Sequence, residues 1–88
     1  MLNLRSVNLN LLAFFEAIYI EKNLTAAAER VCVSQPAMSN ALTRLRDTFN
    51  DDLFTRVGNQ MEPTPRAKRL APNILDALAK VRDSLEDC

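Results

Sequence analysis

Four side chains near the middle of the chain, Gln35, Pro36, Ser39 and Asn40, stand at positions i, i+1, i+4 and i+5. In a helix they would share one face, since each residue turns the chain by about 100°. Their chemistry suits flat edges that donate and accept hydrogen bonds. A glutamine can pair bidentately with adenine, a proline can pack on a thymine methyl group, and Ser and Asn can read neighbouring edges. Thr25, Ser34, Thr43, Arg44, Thr64 and Arg66 surround them as candidates for phosphate oxygens, contacts that set position but carry no sequence information. Catalytic chemistry has little to build on. The chain holds no histidine, one glycine and two cysteines, Cys32 and Cys88, so neither a His/Cys zinc site nor a glycine-rich phosphate loop can be assembled. Asp51 and Asp52 are adjacent carboxylates, but neighbours of that kind cap helices far more often than they perform acid–base work. No metal, no cofactor and no enzymatic activity are expected.

The four residues need a helix with a buried opposite face, and the spacing supplies one. Met38, Leu42, Leu45 and Phe49 recur at i, i+4, i+7 and i+11, one apolar stripe at the helical period. Pro36, Asn40 and Thr43 point away from it. Ser34 is a good N-cap, and Pro36 falls in the first turn, where backbone N–H groups lack partners anyway. A short helix capped by Thr25 precedes this one, with Ala27, Ala28 and Val31 on its inner face. Small residues there allow a close crossing, so the pair reads as a helix-turn-helix whose second member is the recognition helix. No glycine serves the turn, and Cys32, within Val-Cys-Val, is expected as a small buried hydrophobe. Cys88, the last residue, is expected to be exposed.

Upstream, a first helix runs from about residue 8 or 10 to 22, capped by an asparagine. Leu12, Phe15, Ile18 and Tyr19 form one apolar stripe, and Leu11 and Phe14 an adjoining one. One side should meet the next two helices and the other the last helix or a second subunit. Downstream, 53–57 and 61–64 flank Gly58-Asn59-Gln60 and read as a short hairpin with glycine at its tip. Phe54 should anchor it from inside, and Arg56, near the tip, suits a minor groove. Thr64-Pro65 begins a last helix, with Thr as N-cap and Pro at its first position. Along it Ala67, Ala71, Ile74, Leu78, Val81 and Leu85 alternate spacings of four and three, the pattern of a dimer seam. Pro72 interrupts that pattern, and an interior proline costs ~3 kcal/mol, so a bend or break is expected just before it.

The 88 residues suffice for one small domain, able to bury roughly 60–70% of its unfolded surface. Eleven basic and eleven acidic side chains cancel, which counts against a strongly basic nucleic-acid binder. Their distribution is uneven: residues 34–75 carry six basic and four acidic groups, and residues 76–88 carry two and four. No signal-peptide pattern opens the chain and no stretch approaches the ~18 apolar residues of a membrane span, so a reducing cytoplasm is the expected setting.

Taken together, Leu-Thr-Ala-Ala-Ala-Glu (24–29), Val-Ser-Gln-Pro-Ala-Met-Ser-Asn-Ala-Leu-Thr-Arg-Leu (33–45), Asp-Leu-Phe-Thr-Arg (52–56) and Pro-Thr-Pro-Arg-Ala (63–67) resemble the DNA-binding end of LysR-type transcriptional regulators. The likeness runs from about Leu9 into the last helix and looks nearest to regulators of nodulation and of aromatic-compound catabolism. It implies a mainly α winged helix-turn-helix over 1–64, a linker and dimerisation helix over 65–88, and truncation before an effector-binding domain. It further implies base contacts from Gln35, Pro36, Ser39 and Asn40, although many relatives carry Arg where this chain has Asn40. Implied partners are double-stranded DNA and a second copy of the chain. The family's tetramer and small-molecule inducer would need the C-terminal domain. Two other readings are a helical protein–protein interaction module, in which the last helix does the work, and a winged-helix repressor of another family.

Overall fold

The computed structural model describes residues 8–86. Its elements follow in the order α1 (Asn10–Glu21), α2 (Leu24–Arg30), α3 (Gln35–Phe49), β1 (Phe54–Val57), β2 (Gln60–Pro63) and α4 (Pro65–Glu86). The result is a three-helix core, an antiparallel hairpin and a long final helix: a winged helix-turn-helix. The position of Cys88 lies outside the described residues.

α1 is the hub, packing on α2, α3, α4 and β2. It needs apolar groups on more than one side, which explains its broad stripe: Leu11, Phe15, Ala17 and Ile18 are buried, while Phe14 and Tyr19 are partly covered. Leu9, not an asparagine, holds the N-cap position of α1, in helical backbone and with no side-chain cap, a correction to the expected asparagine cap; the Asn8 side chain only accepts from the Asn10 N–H at 3.0 Å, one step before it. The second side of α1 meets α4 of the same chain.

α2 is capped two residues earlier than its sequence suggests. Asn23 is the cap, its side-chain oxygen accepting from the Ala26 N–H at 2.9 Å; Thr25 is left exposed inside the first turn. Asn23 outcompetes Thr25 because it sits in extended backbone (φ −155°, ψ 127°), the conformation an N-cap requires. The helix ends in a Schellman arrangement: Val33 N–H donates to Ala28 C=O at 3.0 Å and Cys32 N–H to Glu29 C=O at 3.2 Å. Cys32 takes the left-handed position at φ 60°, where glycine is usual. That conformation turns its side chain outward, so Cys32 is exposed and the expected burial is wrong. Val31 and Val33 pack on the core instead.

α3 buries Met38, Ala41, Leu42 and Leu45. Phe49 is only partly buried, a correction to its expected place in the core. It occupies the last position before Asn50, which leaves the helix at φ 51°, so neighbouring turns cover only one side of its ring. In the hairpin, Phe54 pairs with Pro63 and Val57 with Gln60, leaving a two-residue turn, one shorter than expected. Gly58 has φ 63° with no atom within 4 Å of the Cβ it lacks. Its requirement is therefore conformational: a two-residue turn of this hand needs positive φ at its first corner. Leu53, Phe54 and Met61 are buried beneath the hairpin.

α4 runs through Pro72 without a break, contrary to the expected interruption. Pro72 and Lys68, whose carbonyl loses its helical partner, are both exposed, so water can satisfy the freed oxygen. Some of the proline penalty remains. Pro72→Ala is expected to raise the unfolding free energy by about 1 kcal/mol, the restored hydrogen bond outweighing the gain in unfolded-chain entropy; an unchanged or lower melting temperature would contradict this. The start of the expected seam is spent elsewhere. Ala67 and Ala71 are 0% and 2% exposed in the single chain, packed into the shared core, so residue 64 is no packing boundary. Small side chains let α4 lie close along α1, which removes both alanines from any seam with a second chain.

Candidate nucleic-acid interface

Ser34 opens α3 from extended backbone (φ −72°, ψ 159°) and its hydroxyl accepts from the Ala37 N–H at 3.2 Å. The cap sets the first turn so that Gln35, Pro36, Ser39 and Asn40 are all exposed, as are Thr43 and Arg44 further along. Only short side chains stand on the first two turns of this face, so a second surface can approach the backbone closely. The Thr43 hydroxyl donates to the Ser39 carbonyl at 3.2 Å. Thr25 and Ser34 are exposed on the same helix pair. A groove of ≈ 500 Å³ between the start of α1 and α3 is lined by Asn8, Asn10, Asn40 and Arg44 among others. It adds two amides to this side that the sequence suggested only as caps.

Thr64 does not suit its expected phosphate contact. Its hydroxyl donates to the Asp51 carboxylate at 2.8 Å and accepts from the Ala67 N–H at 3.2 Å. Its backbone N–H donates to the Leu53 carbonyl at 2.8 Å. Both donors are committed, so none remains for a phosphate oxygen. Asp51 also accepts from the Leu53 N–H at 2.9 Å. That bond, then the Thr64 hydroxyl, then the charges of Arg66 and Arg69, hold its carboxyl below the usual 3.8 despite some desolvation. A carboxyl whose folded pKa is depressed contributes stability above the unfolded value and loses it as pH falls through the folded one. Asp51→Asn should therefore flatten the acid limb of the melting-temperature profile below about pH 4; a limb as steep as the parent's would exclude this role.

The hairpin is fastened to α3 by Arg46, whose part the sequence did not disclose. Its Nε donates to the Asp52 carbonyl at 2.9 Å and its Nη2 to the Phe54 carbonyl at 2.8 Å. The partners are backbone atoms six and eight residues on, outside any helical spacing rule, so no pattern flagged them. On the far side the Met61 N–H donates to the Lys22 carbonyl at 2.9 Å. Two rigid attachments thus hold the wing beside α3, with Arg56 exposed two residues beyond Phe54.

The balanced net charge conceals an uneven surface. Among the described residues the ion pairs are Arg30–Glu21, Lys80–Asp76 and Arg82–Glu16. None of them uses Arg44, Arg56, Arg66, Lys68 or Arg69. Acidic groups neutralise Arg30 on α2 and Lys80 and Arg82 on the far half of α4, leaving the cations on α3, the hairpin and the start of α4 outside these ion pairs. Local rather than total charge governs attraction of a polyanion. No group of three His, Cys, Asp or Glu side chains able to hold a metal occurs among the described residues, and no described helix is long and apolar enough to cross a membrane.

Comparison with known proteins bears on the same surface. Residues 9–68 match the family described as bacterial regulatory helix-turn-helix protein, lysR family. Nodulation protein D 1 of Rhizobium leguminosarum bv. phaseoli is 53% identical over 81 residues, 92% of this chain and 26% of that protein. Nodulation protein D 2 of Rhizobium tropici is 49% identical over the same lengths. The chain thus spans about a quarter of these relatives. Among solved structures, a probable transcriptional regulator of Pseudomonas aeruginosa, PA0477, superposes with a TM-score of 0.94 at 44% identity, over 96% of this chain and 28% of that one. A BenM DNA-binding domain solved with benA site 1 DNA superposes with a TM-score of 0.81 at 24% identity, over 90% and 89% of the two chains, a likeness of fold alone.

Proposed function

Because the chain belongs to the lysR family of bacterial regulatory helix-turn-helix proteins, we propose that it binds double-stranded DNA sequence-specifically, as a homodimer, to regulate transcription. The observation that carries this reading is the face of α3: Gln35, Pro36, Ser39 and Asn40 are all solvent-exposed on a helix whose opposite side is core. Each protomer lays that face in a major groove, with successive grooves forming an inverted-repeat site. Thr25, Ser34, Arg44 and Arg66 hold phosphates, Thr43 does so once its hydroxyl turns from the Ser39 carbonyl to the phosphate, and Arg56 enters the flanking minor groove from the wing. Thr64 acts instead as the cap of α4. The fold shared with a BenM domain solved on DNA supports this placement.

Dimerisation falls to the distal part of α4. Val81 and Leu85 are 55% and 77% exposed, and Ile74 and Leu78 are only partly covered. Exposed large apolar groups at helical spacing favour a second apolar helix, and another copy of α4 offers one. Ligand sensing and tetramer formation belong, in this reading, to the remainder of a full-length regulator, since the chain matches 26% of nodulation protein D 1. A cytoplasmic setting follows from the DNA partner, and the reading requires neither a cofactor nor catalysis.

Selection of bound sequences from a random duplex pool tests it. The expected product is an inverted repeat, with affinity falling steeply as salt rises because phosphate contacts release counterions. An interaction module with no DNA role would enrich no sequence and show no such salt dependence.

A further inference from the structure

Glu16 is the one buried charged residue among those described, 6% exposed on α1. Its partner is Arg82, 66 positions away on α4, whose guanidinium donates through Nη1 to one carboxylate oxygen at 3.0 Å and through Nη2 to the other. The paired geometry, with the carboxylate charge beside it, raises the pKa of Arg82 above its ordinary value. The position of this pair along α4 is informative. At about 100° per residue Ala67, Ala71, Leu75, Leu78 and Arg82 lie on one face, which looks toward α1, while Ile74 and Val81 lie on a flank. Every residue from 79 to 86 is exposed. Leu75 is the last α4 side chain packed against the apolar core, and Arg82 is the last tether between the domain and the segment that bears Val81 and Leu85.

We propose that the Glu16–Arg82 pair is a positioning device that sets the direction in which distal α4 leaves the domain, and through it the half-site spacing a dimer accepts. The inference rests on the dimeric DNA-binding reading above. Apolar contacts let a helix roll and slide, whereas a two-point guanidinium–carboxylate fork fixes both distance and plane. The segment it aims is a lever about 12 Å long, from eight residues at ~1.5 Å each. In a twofold dimer joined there, tilt becomes a change in separation and orientation of the two α3 helices, which must match one turn of DNA, ~34 Å. An ion pair with only one buried partner, as here, is poor evidence for stability by itself, and specifying register is the best-attested use of buried ionic groups.

The test uses the inverted repeat recovered by selection, re-spaced by one or two base pairs either way, together with a single half-site. The proteins are the parent chain, Glu16→Gln, Arg82→Met and Arg82→Lys. The parent should favour one spacing by ~10-fold or more, and the variants should discriminate by less than ~3-fold while binding the single half-site within about 2-fold of the parent. Arg82→Lys, which keeps the charge but not the fork, should fall on the side of the variants. If the variants keep the parent's spacing profile, with or without a uniform loss of affinity, the pair serves folding only and the proposal is wrong. If the parent itself shows no spacing preference, the dimeric reading fails first and takes the proposal with it. Should Glu16→Gln fail to fold, the two Arg82 variants decide, because they alter the half-exposed partner.

Discussion

Phe54→Ala is expected to lower the unfolding free energy by about 3–5 kcal/mol, the usual cost of removing a buried aromatic ring. The ring has no exposed surface and lies 5.4 Å, centroid to centroid, from that of Phe15, tilted by 52°. A domain of this size has about 4–13 kcal/mol to lose, at 0.05–0.15 kcal/mol per residue, so the variant should be marginally folded at room temperature. The loss should reach the wing as well. Arg46 grips the Phe54 carbonyl, and a cavity under that residue lets the strand settle away from α3. Urea denaturation measures the first effect. A change below about 1 kcal/mol would mean that the hairpin is not seated on the core as described.

The second large effect concerns recognition. Gln35→Ala should weaken binding to the selected site by about 1–3 kcal/mol while leaving non-specific affinity and the salt slope nearly unchanged. Gln35 is exposed at the first position of α3 and is not needed as a cap, because Ser34 performs that task. Its removal should therefore cost binding rather than folding. Arg44→Ala provides the contrast: a lost phosphate contact lowers specific and non-specific affinity alike and reduces the salt slope by about one. Competition titrations against specific and random duplexes at two salt concentrations separate the patterns. An equal loss on both duplexes for Gln35→Ala would remove it from base reading.

Most of the architecture could be read in advance, because it rests on short-range rules. The stripe through Met38, Leu42 and Leu45, the Ser34 and Thr64 caps and the glycine at the hairpin corner each depend on a few neighbouring residues. All of them stand as expected in the structure. Errors arose where two local options were nearly equal. Asn23 and Thr25 are both good caps, and backbone entering from the left-handed Lys22 (φ 56°) favoured the earlier one. Cys32 in an apolar run looked like a core residue, but the turn needed a left-handed position and no glycine was there to take it. Phe49 kept the helical period but ran out of neighbours at the end of its helix.

By itself the sequence determined which groups face outward on α3 and that a wing follows, since periodicity and capping act over a few residues and survive any arrangement of the remainder. Only the tertiary structure decided how far along α4 the apolar stripe belongs to this chain, with Val81 and Leu85 left exposed. It likewise decided that Ala67 and Ala71 are spent on the chain's own core, that Arg46 ties the wing down and that Glu16 holds Arg82. Those outcomes depend on residues brought together from 6 to 66 positions apart. A single charged or small side chain reads the same in sequence whether its partner is water, its own domain or another molecule. Packing supplies the partner, and with it the role.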